Sequence, residues 1–367
     1  MLLLYAKEGE IMYYFDFSAT TKPSDESMNI FLRDADKICD NDTLSLEKEN
    51  LKKVLNTNLD VIYTSGSTES NNLAIKGVLN KYKDQNKHII TTTLEHSSVN
   101  ETLLYMKKFG FIIDYVKLNN GIVDIKSLKN LITRDTVLVS ICSVNSETGL
   151  LQPIDKIKEL LKEYESVIFH CDMTQSIGKV NIDLNNIDLV TFNSHKIFGL
   201  KGIGVLLKNK NIELDKIIFG ERTYNLGLIK SFNYTVSDAI KKIKENYTYV
   251  EKLKEEFIND LKDFGGITIN SNSSCIPYIV NFSVDSIKPE TFLHALEQYE
   301  IYVSTKSACS TNNDYSLSVL SLTNNIELAK TSLRVSLSIY NNSDEIHYVT
   351  SKIMECYNKL NLKGDKK

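Results

Sequence analysis

No two of the six cysteines stand in C-x-x-C spacing: Cys39, Cys142, Cys171, Cys275, Cys309 and Cys356 are scattered along 367 residues. That excludes a zinc ribbon or a paired redox thiol and makes a reducing, cytoplasmic setting the expectation. Long apolar runs are missing too, so neither a bilayer-spanning helix nor a membrane partner is expected. The opening MLLLYAKEGEIM has only a short apolar patch followed by charges, which makes a poor signal peptide. Lys7-Glu8-Gly9-Glu10 just ahead of Ile11-Met12 instead suggests a translated purine-rich ribosome-binding site, with Met12 as the native start. Basic residues are not in excess: Lys plus Arg is 43 against 47 Asp plus Glu, a formal charge of −4. A broad basic face for nucleic acid is therefore not expected. There is no internal repeat and no low-complexity tract.

The length exceeds what a single hydrophobic core usually serves, so two domains are expected. From 61 to 207, β-rich runs (VIYT at 61, HIITTT at 88, VLVSICSV at 137, VIFHC at 167, LVTF at 189, GVLL at 204) alternate with helical patterns at 68–82, 97–109 and 154–164. This alternation predicts an α/β domain with a mostly parallel sheet covered on both faces. The stretch 236–262 reads as one long amphipathic helix with Ile240, Ile243, Val250, Leu253, Phe257 and Leu261 on its stripe, linking two domains. After it, IPYIVNFSV and LRVSLSIY look like strands, and Asn342-Ser343 caps a last helix carrying Ile346, Val349, Ile353 and Leu360. The C-terminal part is thus α+β.

Four polar clusters follow predicted strands: TSGSTESNN, LEHSS, CDMTQS and NSHKIFG. One such tail is ordinary, but four at one sheet edge describe a built pocket. In SGSTES the glycine frees the backbone, and Ser67 and Thr68 start a helix, giving a seat for phosphate; alone it would pass for a simple N-cap with Glu69 in the first turn. Asp172 at a strand end needs a cationic partner, either a nearby lysine or arginine or a protonated ring nitrogen. His96 can be a core histidine, a general base or a flat ring stacked on a flat cofactor. Among them Lys196, set between His195 and a glycine-rich turn, acquires a purpose as the lysine of a pyridoxal-phosphate Schiff base.

Taken together these stretches resemble the cysteine desulfurase family of fold-type I pyridoxal-phosphate enzymes, part of the class-V aminotransferase superfamily. The matching segments are YFDFSATTKP at 14–23, YTSGSTESNNLAIKG at 63–77, IITTTLEHSSV at 89–99, VSICSVNSETGLLQPI at 139–154, HCDMTQSIGK at 170–179, SHKIFGLKGIG at 194–204, then STKSACS and LRVSLS. The resemblance implies a large domain of residues 16–230 with a mostly parallel seven-stranded sheet flanked by helices. Residues 1–15 and 231–367 would form a smaller α+β domain. It implies that Lys196 carries pyridoxal 5'-phosphate, His96 stacks on its ring, Asp172 pairs with the ring nitrogen and Gln175 meets the phenolic oxygen. Ser67, Thr68, Asn193 and His195 would hold phosphate, with Asn193 replacing a serine of the family. Arg334 and Asn145 would meet the substrate, and Cys309 would take its sulfur as a persulfide, with Lys306 close by in sequence to favour the thiolate. L-cysteine or a related sulfur or selenium amino acid, a sulfur-acceptor protein and a homodimer are the implied partners.

The sequence departs from the family in four places. Ser146 replaces the second asparagine of V-N-N-E, and the Gly-Asn-Pro-Ser-Ser-x-His segment is absent, shortening the span from Ser24 to Val61. Leu228 stands nearest the threonine of R-S-G-T, and Lys306 replaces the glycine of S-G-S-A-C. These changes leave two other expectations open: a related lyase (selenocysteine lyase, cysteine-sulfinate desulfinase or β-elimination), or a cofactor-binding scaffold of low activity.

Overall fold

The computed structural model describes residues 12–84, 87–305 and 314–364; residues 1–11, Lys306 and Cys309 lie outside the described residues. Across the main sheet the strands run Asp60–Thr64, Gly204–Lys208, Leu189–Asn193, Ile168–Asp172, Thr136–Ser140, His88–Thr91 and Ile112–Tyr115. Gly204–Lys208 is antiparallel to both neighbours and every other pairing is parallel. Every residue of His88–Thr91, Thr136–Ser140 and Leu189–Asn193 is buried, as helices on both faces require. The seventh strand, Ile112–Tyr115, has no counterpart in the sequence reading. It is an edge strand with Ile112 and Tyr115 exposed, so it lacks the continuous buried run that marks the inner strands.

The single helix expected over 236–262 is two helices, Leu226–Lys241 and Ile243–Leu261, parted at Lys242 (φ −103°, ψ 5°). The first buries Ile229, Phe232 and Val236 in the core of the main sheet, where Phe232 stacks on Phe192 at 5.8 Å and meets Tyr63 edge-on at 6.1 Å. The second buries Val250, Leu253, Phe257 and Leu261 in the C-terminal core. Two apolar stripes that face different cores cannot share one straight axis, so the chain turns between them. Residue 230 falls inside the first of these helices, which packs against the main-sheet core from Ile229 to Ile240.

The C-terminal part has an antiparallel sheet of Ile267–Ile269, Ile279–Val284 and Ser332–Ser336, packed with Ile243–Leu261, Pro289–Glu297 and the last helix Ser343–Gly364. Asn342 caps that last helix by accepting from the Glu345 N–H at 3.0 Å. The N-terminal arm joins this part: Tyr13–Tyr14 pairs in parallel with Ile301–Tyr302, and Phe15 is fully buried in the C-terminal core. From there the Ser18 N–H donates to Ser336 Oγ at 2.9 Å, which carries the arm up to the edge where the main strands end.

Phe232→Ala empties a site that is 0% exposed between two aromatic rings. It is expected to cost about 3–5 kcal/mol of stability, read as a lower urea midpoint with an unchanged slope. A midpoint equal to that of the unsubstituted chain would show that the Leu226–Lys241 helix is not part of the sheet core.

Candidate active site

The polar tails all meet at one edge of the sheet. Gly204 pairs with both Asn193 and Thr64, so the turns after those two strands lie side by side. A Cβ on Gly204 would stand 2.7 Å from the backbone of Gly66, and one on Gly199 would collide with the Ser194 hydroxyl. These glycines let the turn bearing Lys196 fold against the turn bearing Ser67. Phe198 sits in left-handed backbone (φ 66°), a conformation that costs roughly 1–2 kcal/mol. The donation of its N–H to Thr21 Oγ1 at 2.8 Å and its edge-on contact with Tyr340 at 4.9 Å oppose that cost.

Lys196 is partly buried, and its Nζ donates to the Ser18 carbonyl at 2.6 Å. Burial, and then the Arg334 guanidinium, push its pKa down to about 8 against the opposing pull of Asp172 and Asp16. Near neutral pH a real fraction of the amine is unprotonated, as a carbonyl-attacking lysine requires. Asp172 is buried; Oδ2 accepts from Asn71 Nδ2 at 2.8 Å and Oδ1 from the Thr174 N–H at 2.9 Å. His96 is the N-cap of the helix Ser97–Met106, and its Nδ1 accepts from the Ser98 N–H at 3.1 Å. The proton of the neutral ring is therefore on Nε2, and burial holds its pKa below the usual histidine value.

The helix Ser67–Leu79 begins at Gly66, which offers no side-chain cap, so its first N–H groups stay open. Ser67, Thr68, His96, Asp172, Gln175, Asn193, His195 and Lys196 come together around a cavity of about 260 Å³. His195, its pKa pushed down to about 4 by burial and then by Lys196, Lys201 and Lys179, is neutral there, and its Nδ1 lies 3.2 Å from Thr20 Oγ1. Thr174 Oγ1 and Asn193 Oδ1 are buried without a partner. An amine with lowered pKa, a held carboxylate, a flat neutral imidazole and an uncapped helix end with unpaired polar atoms form a donor set that fits pyridoxal phosphate.

Three of the expected site residues are bonded within the protein. Gln175 lines the cavity with both ends engaged: Nε2 donates to the Ser18 carbonyl at 2.9 Å, and Oε1 accepts from Lys179 Nζ at 3.0 Å. Arg334 is buried, with Nη2 on Asp16 Oδ1 at 2.6 Å and Nη1 on the Ser146 carbonyl at 2.8 Å. Asn145 is not brought to the cavity. Its Oδ1 accepts from the N–H groups of Glu147 and Thr148 and from Thr148 Oγ1, and its Nδ2 donates to the Leu94 carbonyl and Ser318 Oγ. Its polar atoms are thus engaged partly in its own turn and partly with Leu94 and Ser318. The chain is held on either side of the segment that contains Cys309, by a strand on one side and by this turn on the other. Ser304 exchanges backbone hydrogen bonds with Arg334, and Ser316 Oγ donates to Glu147 Oε2 at 2.5 Å.

Sequence reasoning missed Asn71, Glu95 and Lys179. Asn71 lies three residues after Thr68, hence on the same helix face, so that spacing was a usable signal. Glu95 is buried with a pKa pushed up to about 8 by desolvation, and no local pattern marks it as such.

The chain matches the family model described as Aminotransferase class-V over residues 41–220 and 224–349. It is 37% identical over 318 residues to the cysteine desulfurase IscS of Buchnera aphidicola subsp. Baizongia pistaciae, covering 82% of this chain and 78% of that protein. The chain belongs to the cysteine desulfurase family. A NifS/IcsS protein homolog of Lactobacillus delbrueckii subsp. bulgaricus is 32% identical over 389 residues, covering 96% of this chain and 100% of that protein. Among solved structures, a NifS-like protein superposes with a TM-score of 0.86 at 27% identity, covering 94% of this chain and 98% of that one. As in this family generally, the cofactor is pyridoxal phosphate and the fold is that of fold-type I enzymes.

Because burial disfavours the ammonium form, the reactivity of Lys196 in cofactor-free protein toward a small amine-selective reagent is expected to rise with pH through about 8. An ordinary lysine rises through ~10.4. Peptide mass spectrometry reads the midpoint, and Asp172→Asn, which removes an opposing charge, is expected to move it lower still. A midpoint near 10 would show Lys196 to be solvated.

Proposed function

We propose that the chain is a pyridoxal-phosphate-dependent cysteine desulfurase that removes sulfur from L-cysteine, leaves L-alanine and loads Cys309 with a persulfide for a sulfur acceptor. The observation that carries this reading is the convergence of Lys196, Asp172 and His96 on one cavity, with Arg334 on the carbonyl of Ser146 in its wall. Residence in the cytoplasm and a homodimer belong to the same proposal. Among the described residues, no helix is long and apolar enough to cross a membrane.

Pyridoxal phosphate, when bound, supplies an electron sink next to the substrate carbon. Lys196 would anchor it through the amine that burial keeps reactive, and the same amine would be placed to move protons at the substrate. Asp172, fixed by Asn71 and the Thr174 N–H, holds a proton on the ring nitrogen and so strengthens the sink. His96 presents a flat neutral face. The open N–H groups before Thr68, with Ser67, Asn193 and His195, bind phosphate. Arg334 grips the substrate carboxylate with its planar fork, and the carboxylate takes over the position that Asp16 holds. The thiolate of Cys309 then forms a bond to the substrate sulfur while the carbon–sulfur bond breaks. The electron pair stays with carbon, which gains a proton and leaves as alanine.

The deciding experiment is the intact mass of the cofactor-loaded protein before and after L-cysteine, without reductant, beside Cys309→Ala. One sulfur atom gained by the native chain and not by the variant is the expected result. Alanine formed with no gain in mass would favour a lyase that needs no protein thiol; no turnover of any sulfur or selenium amino acid would favour a scaffold. Arg334→Lys is expected to raise KM for L-cysteine roughly 10- to 100-fold with a smaller change in kcat, measured by alanine release. An unchanged KM would remove Arg334 from the substrate site.

A further inference from the structure

Lys196 lines a second cavity of about 190 Å³, between the N-terminal arm, the Leu226–Lys241 helix and the segment after Ser336. Its wall includes Lys179, which directly follows Gly178 (φ +67°), a residue pressed against Ala239. Lys179 is only 8% exposed. Its Nζ donates to Gln175 Oε1 at 3.0 Å and stands 5.8 Å from the centre of the Tyr278 ring. Among the described residues no carboxylate comes within ion-pair distance of it. An ammonium has three donors and one charge, so this one is buried with its charge uncompensated, which proteins rarely tolerate. Burial, and then the cations of Lys196 and Arg334, push its pKa down to about 7. Two further polar atoms around the same cavity have no partner: the buried hydroxyls of Tyr278 and Ser18.

Part of the remaining lining is aromatic, among polar residues that include Thr21, Asn246 and Lys242. Phe17, Phe198, Tyr234 and Tyr340 contribute to it, with Phe198 edge-on to Tyr340 at 4.9 Å and tilted against Phe17 at 6.3 Å. Glu26 and Asp238 also line it, and Asp238 is already paired with Lys242 at 2.7 Å. A second carboxylate on a ligand would meet like charge there.

We propose that this cavity is a binding site for a small aromatic monocarboxylic acid, its carboxylate between Lys179 and the Tyr278 hydroxyl and its ring among Phe17, Phe198 and Tyr340. Such a ligand supplies a counter-charge to Lys179, gives the tyrosine hydroxyl an acceptor and lays its ring against the aromatic part of the wall. The site is distinct from the cofactor cavity, although Lys196 borders both.

Benzoate is the probe, titrated calorimetrically into the cofactor-loaded protein. The expected result is saturable binding of one benzoate per chain, with the neutral isostere benzamide weaker by roughly tenfold or more. Lys179→Met abolishes binding, Tyr278→Phe weakens it severalfold, and Arg334→Met leaves it intact. Absence of saturable binding overturns the proposal. So does binding that survives Lys179→Met, or binding lost in Arg334→Met while Lys179→Met retains it, which would place the probe at the substrate arginine. If Lys179→Met fails to fold, Tyr278→Phe carries the same comparison, and an unchanged affinity in that variant overturns the site. None of these readouts uses turnover, so they stand apart from the fate of the desulfurase reading.

Discussion

The hydrogen bond from Lys196 to the carbonyl of Ser18, at 2.6 Å, is the contact on which the arrangement turns. A lysine amine at the mouth of a sheet is useful only when it is desolvated enough to lose its proton and still held in one place. Ser18 satisfies the second condition and the surrounding burial satisfies the first. The carbonyl belongs to the N-terminal arm, which is fastened to the C-terminal sheet through Ser336 and Phe15. The reactive amine, on a turn of the main sheet, is thus positioned by an arm that is fastened to the C-terminal sheet. Gln175 Nε2 shares the same carbonyl, which locks the turn after Asp172 to the turn after Asn193.

Charge is distributed around that bond with a consistent bias. Lys196, Lys179 and Arg334 crowd the buried region; Arg334 makes the charge of Lys196 costlier, and Lys196 and Arg334 together that of Lys179, while the carboxylates facing Lys196 are Asp172 and Asp16. Glu95, the next acid in, has its pKa pushed up to about 8 by burial and so stays protonated near neutral pH. Without the anions it is built to receive, the region carries excess positive charge. A phosphate and a substrate carboxylate therefore bind partly by relieving repulsion that folding has already built in.

Much of this was legible in the sequence, and the reason differs from residue to residue. Lys196, Asp172, His96 and Ser67 were readable because each follows a buried strand, and parallel strands deliver their tails to one edge. The strand Ile112–Tyr115 was not, since Asp114 interrupts its apolar run and Ile112 and Tyr115 are exposed at the sheet edge. The break at Lys242 was hidden because the stripes on either side keep helical periodicity and only their target cores differ. Asn145 illustrates the converse: a segment match names a position, but whether an amide faces a cavity or closes its own turn depends on Glu147, Thr148, Leu94 and Ser318. Lys179 was illegible for a related reason, since its lack of a carboxylate partner is a property of its surroundings in space.

The replacement of the family's serine by Asn193 shows how a departure can be absorbed. As built, Asn193 Nδ2 donates to Ser67 Oγ at 2.7 Å and Oδ1 is buried with no partner, an acceptor left bare beside a seat for an anion. Rotating the amide by 180° exchanges two atoms of nearly equal size and disturbs no packing. The Ser67 hydroxyl then donates to Oδ1, and Nδ2 has both its hydrogens free to donate on the other side. The longer amide in that orientation restores the donor that a serine would have provided and removes the orphaned acceptor at the same time.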